Sequence, residues 1–192
     1  MGNQASIVNK EGPQNVTKAT SNTPKVALNC AVLTISDTRT AANDTSGDYL
    51  AQAVAQAGHQ CVRRDISSGN VYHIRKVISD WVADPDVHII LTNGGTGFSH
   101  QKSTGAAITP LLDMTIAGFG ELFRHLSFLE IGSSTLQSDA FAGAANNTLL
   151  FCMPGSTNAC RTAWGRIIEE QLDSTHRPCN FATHYLKTLK TD

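Results

Sequence analysis

Several features that mark common protein classes are scarce in this sequence of 192 residues. Charged residues make up only 16% of the chain, below the roughly 25% of an average globular protein. Lys and Arg together (15) do not outnumber Asp and Glu (16), whereas domains that bind nucleic acid usually carry a basic surplus or stripe. The composition therefore predicts no nucleic-acid partner.

Other absences bear on location and metal chemistry. No apolar run approaches the roughly 20 residues needed to cross a bilayer, and no basic head followed by an apolar block precedes residue 26. The five cysteines form no C-x-x-C pair, and their odd number and wide spacing fit neither a disulfide framework nor a zinc site. We therefore predict a cytoplasmic protein without a membrane span, with reduced and mostly structural cysteines.

The composition changes once along the chain. Residues 1–25 are rich in Asn, Gln, Thr, Ser and Gly and contain no aromatic residue, a composition that buries too little apolar area to offset its chain entropy. The rest of the chain has the length of one domain. We predict a flexible tail over residues 1–25 and a single domain over residues 26–192.

Within that domain, apolar segments alternate with helical patterns. The segments read as strands are 26–35, 61–66, 87–92 and 149–153, and those read as helices include one ending at Gly58, one capped by Asn70, 118–128 and 135–145. Alternation of this kind, with short loops, implies right-handed crossovers and a parallel sheet covered on both faces. The predicted fold is three-layer α/β/α with a mostly parallel central sheet.

The most informative loop follows the third strand and reads Gly94, Gly95, Thr96 and Gly97, here named the glycine loop. Glycines accept positive φ and let backbone N–H groups turn towards one point, which makes an anion-binding concavity. The same glycines also suit a sharp turn without a ligand. A P-loop is excluded because Thr96 and Gln101 stand where it needs glycine.

A second loop lies between the last strand and its helix and contains Ser156 and Thr157, here named the serine loop. Its hydroxyls and amides could bind an anion or simply cap the helix. Ligands of open α/β sheets bind outside the carboxyl ends of the strands. We therefore expect the loops after Ile35, Thr92 and Met153 to converge on one crevice.

Charged candidates lie near these loops. Asp37, Asp44 and Asp48 follow the first strand and could help to hold Mg²⁺, although Asp44 suits a helix cap and Asp48 a solvated first turn. Arg124 and His125 could reach an anionic ligand from the helix over 118–128, and both also suit a solvated helix surface.

The ordered motifs resemble the molybdenum cofactor biosynthesis protein B (MoaB) family. The resemblance covers about residues 26–181 and rests on the segments Leu33-Thr34-Ile35-Ser36-Asp37-Thr38, Asp44-Thr45-Ser46-Gly47, Asn93-Gly94-Gly95-Thr96-Gly97, Gly118-Phe119-Gly120-Glu121-Leu122-Phe123-Arg124 and Met153-Pro154-Gly155-Ser156-Thr157. The family is similar to the MogA-like adenylyltransferases, which bind molybdopterin and Mg-ATP and transfer AMP onto the pterin phosphate. The resemblance implies that Gly94, Gly95, Thr96 and Gly97 cradle that phosphate, with Ser156 and Thr157 beside it. It also implies a homotrimer or homohexamer.

The chain departs from the active relatives at acidic positions. Lys102, Gly105 and Ala106 stand where those relatives carry Asp followed by Pro-Glu, Ser68 replaces a second acid, and Asp139 replaces the usual Arg. Because phosphoryl-type transfer relies on metal ions to neutralise charge, losing the carboxylates at Lys102 and Ser68 removes the obvious Mg²⁺ holders. Our main hypothesis is a molybdopterin-binding protein in which adenylyl transfer requires a substitute such as Asp37. The alternatives are a non-catalytic carrier and an unrelated nucleotide-binding α/β protein.

Overall fold

The computed structural model describes residues 25–97 and 103–184. The strands are β1 (Asn29–Ile35), β2 (Gln60–Ser67), β3 (Ile89–Asn93), β4 (Met114–Thr115), β5 (Phe141–Ala145) and β6 (Thr148–Met153). The helices are α1 (Thr45–Gln56), α2 (Val71–Val82), α3 (Thr104–Ile108), α4 (Ala117–Ile131), α5 (Thr157–Ala163), α6 (Glu169–Leu172) and α7 (Phe181–His184). A π-helical turn, Trp164–Ile168, joins α5 to α6.

The strands form one six-stranded sheet in the order β2-β1-β3-β6-β5-β4. The four strands β2, β1, β3 and β6 run parallel, and β5 and β4 complete the sheet in antiparallel register. Asn146 and Asn147 connect β5 to β6 with φ values of 45° and 64°, the left-handed conformations of a tight hairpin turn. The prediction of a mostly parallel sheet is confirmed.

Alternate side chains of the central strands pack into two separate hydrophobic cores, one on each face of the sheet. On β1, Cys30 and Val32 pack into a core that also contains side chains of α1, α4 and α5. Ala31 and Leu33 point to the other face, where the core is completed by α2 and α3. This pattern is the period of two that places successive side chains on opposite faces of a sheet. It confirms the three-layer architecture.

Two segments differ from the sequence prediction. The first strand begins at Asn29 rather than at residue 26, and the helix expected over 135–145 is wrong, since this stretch contains the end of the 3-10 segment Gly132–Gln137 and then strand β5. Residues 1–24 of the predicted tail lie outside the described residues. In the part of the chain that is described, no helix is both long and apolar enough to cross a membrane.

Candidate functional site

The glycine loop begins where β3 ends and has a backbone that other residues cannot easily adopt. Gly94 and Gly95 have φ values of 93° and 63°, in the left-handed region that favours glycine. A Cβ on Gly94 would overlap the carbonyl oxygen of Ile35, and one on Gly95 would overlap the hydroxyl of Thr104. Both glycines are therefore required by conformation and by space.

The loops after β1, β3 and β6 meet at the carboxyl edge of the sheet, as expected. The Gly94 N–H donates to the Met153 carbonyl at 3.1 Å, and the Thr104 hydroxyl donates to the Gly94 carbonyl at 2.7 Å. A Cβ on Gly155 would lie 3.0 Å from Gly94 Cα. The glycine loop is thus held by β6 and by the start of α3, in direct contact with the loop that follows β6.

The serine loop packs on the amino end of α1. Ser156 Oγ accepts the Ala159 N–H at 3.2 Å, so this side chain caps α5. Thr157 Oγ1 lies 3.0 Å from Ser46 Oγ, and the Ser46 hydroxyl donates to the Gly155 carbonyl at 3.0 Å. A hydroxyl that accepts one hydrogen bond can still donate its proton. Ser156 can therefore cap its helix and contact a ligand at the same time.

Asp37 is exposed and accepts the Gly69 N–H at 2.9 Å. Mg²⁺ is often held by one or two carboxylates together with the phosphates of a substrate, so Asp37 fits one part of such a site. Ser68 lies on the adjoining loop, with its Oγ 3.2 Å from Nδ1 of His73. Among the described residues there is no group of three or more His, Cys, Asp or Glu that could hold a metal. Lys102 lies outside the described residues.

Asp44 and Asp48, the other acidic candidates, are engaged by Arg64. The guanidinium lies 3.0 Å from Asp44 Oδ2 and 2.7 Å from Asp48 Oδ1. Asp44 also accepts the Gly47 N–H at 3.0 Å, which makes it the N-cap of α1. The structure therefore favours the capping role of Asp44 over a place in a metal site.

A groove of about 470 Å³ lies between α3, α4 and β5. Its charged lining side chains are Glu121, Arg124 and Asp139, and Arg124 Nη1 donates to the Ala140 carbonyl at 3.3 Å. Gly105 and Ala106, in the first turn of α3, also line the groove, and Gly105 directly follows Thr104, whose hydroxyl donates to the Gly94 carbonyl. Of the two α4 candidates, Arg124 lines this groove, and the exposed His125 does not line it. Glu121 is not among the site residues predicted from the sequence.

Ser103 was also missed. It stands at the N-cap position of α3 but makes no cap hydrogen bond, and its buried hydroxyl has no partner among the described residues. That oxygen lies 3.2 Å from the position a Cβ on Gly95 would take and 3.6 Å from the corresponding position on Gly69. The only signal for it in the sequence is a serine directly before a short helix, which predicts a cap rather than an unpaired hydroxyl.

The cysteines are free, and Cys30, Cys152 and Cys160 are buried. Cys160 is the one nearest the serine loop, and burial raises the pKa of its thiol to about 12. A thiol with this pKa stays protonated at neutral pH and is a poor nucleophile. The interpretation of Cys160 as structural agrees with its environment.

Comparisons with known proteins agree with the motifs. A family profile described as "Probable molybdopterin binding domain" matches residues 31–174. The chain is 52% identical over 157 residues to molybdenum cofactor biosynthesis protein B of Escherichia coli K12, covering 82% of this chain and 92% of that protein. The Bacillus cereus protein of the same name is 40% identical over 159 residues, covering 82% and 94%.

Solved structures give the same answer. A crystal structure of molybdenum cofactor biosynthesis protein B superposes with a TM-score of 0.76 at 39% identity, covering 78% of this chain and 94% of that one. The molybdopterin biosynthesis enzyme MoaB of Thermus thermophilus superposes with a TM-score of 0.64 at 27% identity, covering 71% and 87%. The chain therefore belongs to the molybdenum cofactor biosynthesis protein B (MoaB) family.

Proposed function

We propose that this protein binds molybdopterin, with the terminal phosphate of the pterin on the glycine loop. The observation that carries the proposal is the positive φ of Gly94 and Gly95 at the junction of three strand-end loops. Because the Gly94 N–H already donates to Met153, the amides of Gly95, Thr96 and Gly97 are the ones we assign to the phosphate. Ser156 and Thr157 stand beside them on the serine loop, where Ser156 supplies a hydroxyl donor and the Thr157 proton points at Ser46.

The hydroxyl of Ser103, which finds no partner within residues 25–97 and 103–184, supports an acceptor at this junction. A buried polar group without a partner costs about 1 to 3 kcal/mol. A phosphate oxygen that reaches Ser103 after a small movement of the loop would supply the missing acceptor. The position of Ser103 Oγ beside Gly95 and Gly69 fits this role.

The groove between α3 and α4 is our proposed place for the body of the pterin. Its volume of about 470 Å³ is in the usual range for sites that take small organic ligands. The 2-amino-4-oxo edge of a pterin carries two adjacent N–H donors, which match the two oxygens of a carboxylate. Glu121 is the exposed groove carboxylate that we assign to this edge.

An adenylyltransferase and a non-catalytic carrier would use such a pocket differently. Adenylyl transfer from Mg-ATP would rely on Asp37, which offers one carboxylate near the glycine loop. A carrier would need the phosphate and pterin contacts alone, and the pairing of Ser68 with His73 at a position where active relatives hold an acid favours this second candidate.

Binding and transfer can be measured on the same purified protein. Titration with molybdopterin should give saturable binding that is lost in Gly95→Val, because a side chain there meets Thr104 and Ile35. Unchanged affinity in a folded Gly95→Val protein would refute the glycine loop as the phosphate site. Adding ATP with titrated Mg²⁺ then separates the two candidates, since only a transferase forms adenylylated molybdopterin. ATP binding without pterin binding would instead indicate a nucleotide-binding protein of another kind.

We also propose that the protein is a homotrimer or homohexamer. Leu122, Phe128, Leu129 and Ile131 on α4, with Leu136 after it, are exposed apolar side chains, and a surface of this kind usually marks an interface. Light scattering at micromolar concentration should give a mass of three or six chains of 20.5 kDa, and Leu129→Asp should lower it. A stable species of one chain would contradict the proposal.

The cytoplasm is our proposed location. All five cysteines are free, as expected for a protein kept in a reducing compartment. Cell fractionation with an antibody to the chain tests this, and recovery from an oxidising compartment would contradict it.

A further inference from the structure

A buried carboxylate lies behind the glycine loop and contacts no proposed ligand position. Asp44 is only 1% exposed, and its carboxylate accepts hydrogen bonds from Arg64, the Gly47 N–H and the hydroxyl of Thr34. The Thr34 hydroxyl donates to Asp44 Oδ2 at 2.8 Å. Capping α1 requires the Gly47 contact alone, so the Thr34 contact calls for a separate explanation.

Thr34 also forms a hydrogen bond to the last residue of β3. Its Oγ1 accepts from Asn93 Nδ2 at 2.9 Å, and Asn93 is the residue directly before Gly94. Because an ionised carboxylate has only acceptors, the Thr34 proton must point at Asp44 and its lone pair at Asn93. This order fixes which end of the Asn93 amide faces Thr34. We name Asn93, Thr34 and Asp44 the buried relay.

The same region also holds the serine loop. Asp44 caps α1, and two residues later the Ser46 hydroxyl donates to the Gly155 carbonyl and lies 3.0 Å from Thr157 Oγ1. The start of α1 therefore contacts both loops of the candidate site, one through Thr34 and Asn93 and the other through Ser46.

We propose that Thr34 and Asp44 are positioning residues, which hold the glycine loop in its ligand-binding conformation through Asn93. The proposal rests on the proposed function in that the glycine loop binds the phosphate. The role of these residues is distinct from ligand binding, because they would hold the shape of the loop through hydrogen bonds and would not contact the ligand.

Thr34→Val is the central test, since valine keeps the shape of the side chain and removes the hydroxyl. Affinity for molybdopterin should fall about tenfold, because the hydrogen bonds of this hydroxyl to Asp44 and to Asn93 are both lost. Thr34→Ser retains the hydroxyl and should restore binding to near the unmodified value. Equal affinity in Thr34→Val and the unmodified protein would overturn the proposal.

Thr148→Val is the matched control. Thr148 is also buried in a strand, and its hydroxyl donates to the Val87 carbonyl at 3.0 Å, at the opposite end of the sheet. This variant should lose stability as Thr34→Val does, without losing affinity. A similar fall in affinity in both variants would mean that Thr34 acts only through stability, which would also overturn the proposal.

Amide hydrogen exchange tests the relay without a ligand. Exchange of the Gly94 amide, which donates to the Met153 carbonyl, and of the Thr104 amide, which donates to the Gly95 carbonyl, should be faster in Thr34→Val than in Thr148→Val, at equal global stability. If no protein binds molybdopterin but this difference is seen, the proposed function fails and the positioning role stands. If exchange is equal in both, the positioning role fails. Should Thr34→Val not fold, Asn93→Ala cuts the relay at its other end and is judged by the same outcomes.

Discussion

The two ends of the central sheet are completed in different ways. At the amino end, side chains cap strand backbone, since Nδ1 of His59 accepts the Leu28 N–H and Nδ1 of His88 accepts the Asn29 N–H. At the carboxyl end, the backbone turns at Gly94 and Gly95, where no side chain fits. Side chains therefore close one end, whereas glycine backbone shapes the other. The difference separates an end that we expect to serve stability from the end at which we propose that the ligand binds.

Of the substitutions at the two ends of the sheet, Gly94→Ala should have the largest effect, and it acts at the carboxyl end. The new Cβ overlaps the Ile35 carbonyl at a positive φ, so the loop must move away from β1. We expect molybdopterin affinity to fall about 100-fold, equivalent to about 2.8 kcal/mol of binding free energy, and unfolding free energy to fall by about 2 to 4 kcal/mol. Titration and urea unfolding measure the two effects. Retained affinity would show that the close approach of Gly94 to the Ile35 carbonyl is not needed for molybdopterin binding.

Restoring acids tests whether the carboxyl end has kept its shape while losing chemistry. Lys102→Asp combined with Ser68→Asp should raise Mg²⁺-dependent adenylyl transfer by about 100-fold, because metal stabilisation of a transferring group is worth several kcal/mol. Lys102→Ala combined with Ser68→Ala removes the same side chains without adding carboxylates and should remain inactive. Robust transfer by the unmodified chain would contradict this expectation and point to Asp37 as the metal holder.

The amino end should respond to pH through His59. Burial, with a smaller contribution from Lys25, lowers the pKa of His59 below its usual value, so folding favours the neutral ring that accepts the Leu28 N–H. Its contribution to stability is present above about pH 6.5, the usual pKa of histidine, and is lost as pH falls through the lowered folded-state pKa. The slope for one proton is at most about 1.4 kcal/mol per pH unit.

His59→Asn isolates this effect, because the amide oxygen can accept the same N–H without titrating. Urea unfolding from pH 7.5 down to pH 5 should show a steeper loss of stability in the unmodified protein than in the variant, with molybdopterin binding at pH 7.5 unchanged in both. Parallel curves would rule out His59 as the titrating group.

Gly58→Ala should give the smallest effect. Gly58 also has a positive φ, 86°, but a Cβ there would meet nothing within 4 Å. The cost should be the conformational strain alone, about 1 kcal/mol of stability, with affinity for molybdopterin unchanged. Comparing it with Gly94→Ala separates backbone strain from the close approach of Ile35. A loss of binding in Gly58→Ala would remove the distinction between the two ends.

The sequence predicted the parallel half of the molecule well because its signals are local. Buried strands there are rich in Val, Ile and Leu, and turns or caps follow them directly. Strand β5 was misread as a helix because Ala142, Gly143 and Ala144 carry no β-branched signal. Gly143 is small for a tertiary reason, since a Cβ there would lie 2.6 Å from Leu112 Cδ1 and from the Met114 carbonyl.

The position of the candidate site was predictable, and its internal support was not. Glycines after a strand indicate a loop, and the topology of a parallel sheet brings such loops together. The partners of Thr34 are 10 and 59 residues away in sequence, and no local pattern pairs them. The tandem Asn146 and Asn147 did carry a usable signal for the hairpin between β5 and β6.

The glycine loop has its shape from backbone conformation, from neutral contacts to Met153 and Thr104 and, in our proposal, from the buried relay. None of these contacts involves Ser68 or Lys102, the positions at which the family resemblance leads us to expect acids in active relatives. Recognition and turnover can therefore diverge independently in this fold, since the carboxylates can be exchanged one by one while the pocket keeps its form. A duplicated gene could abandon the reaction and retain the ligand, which would turn an enzyme into a reservoir or a sensor of its former substrate.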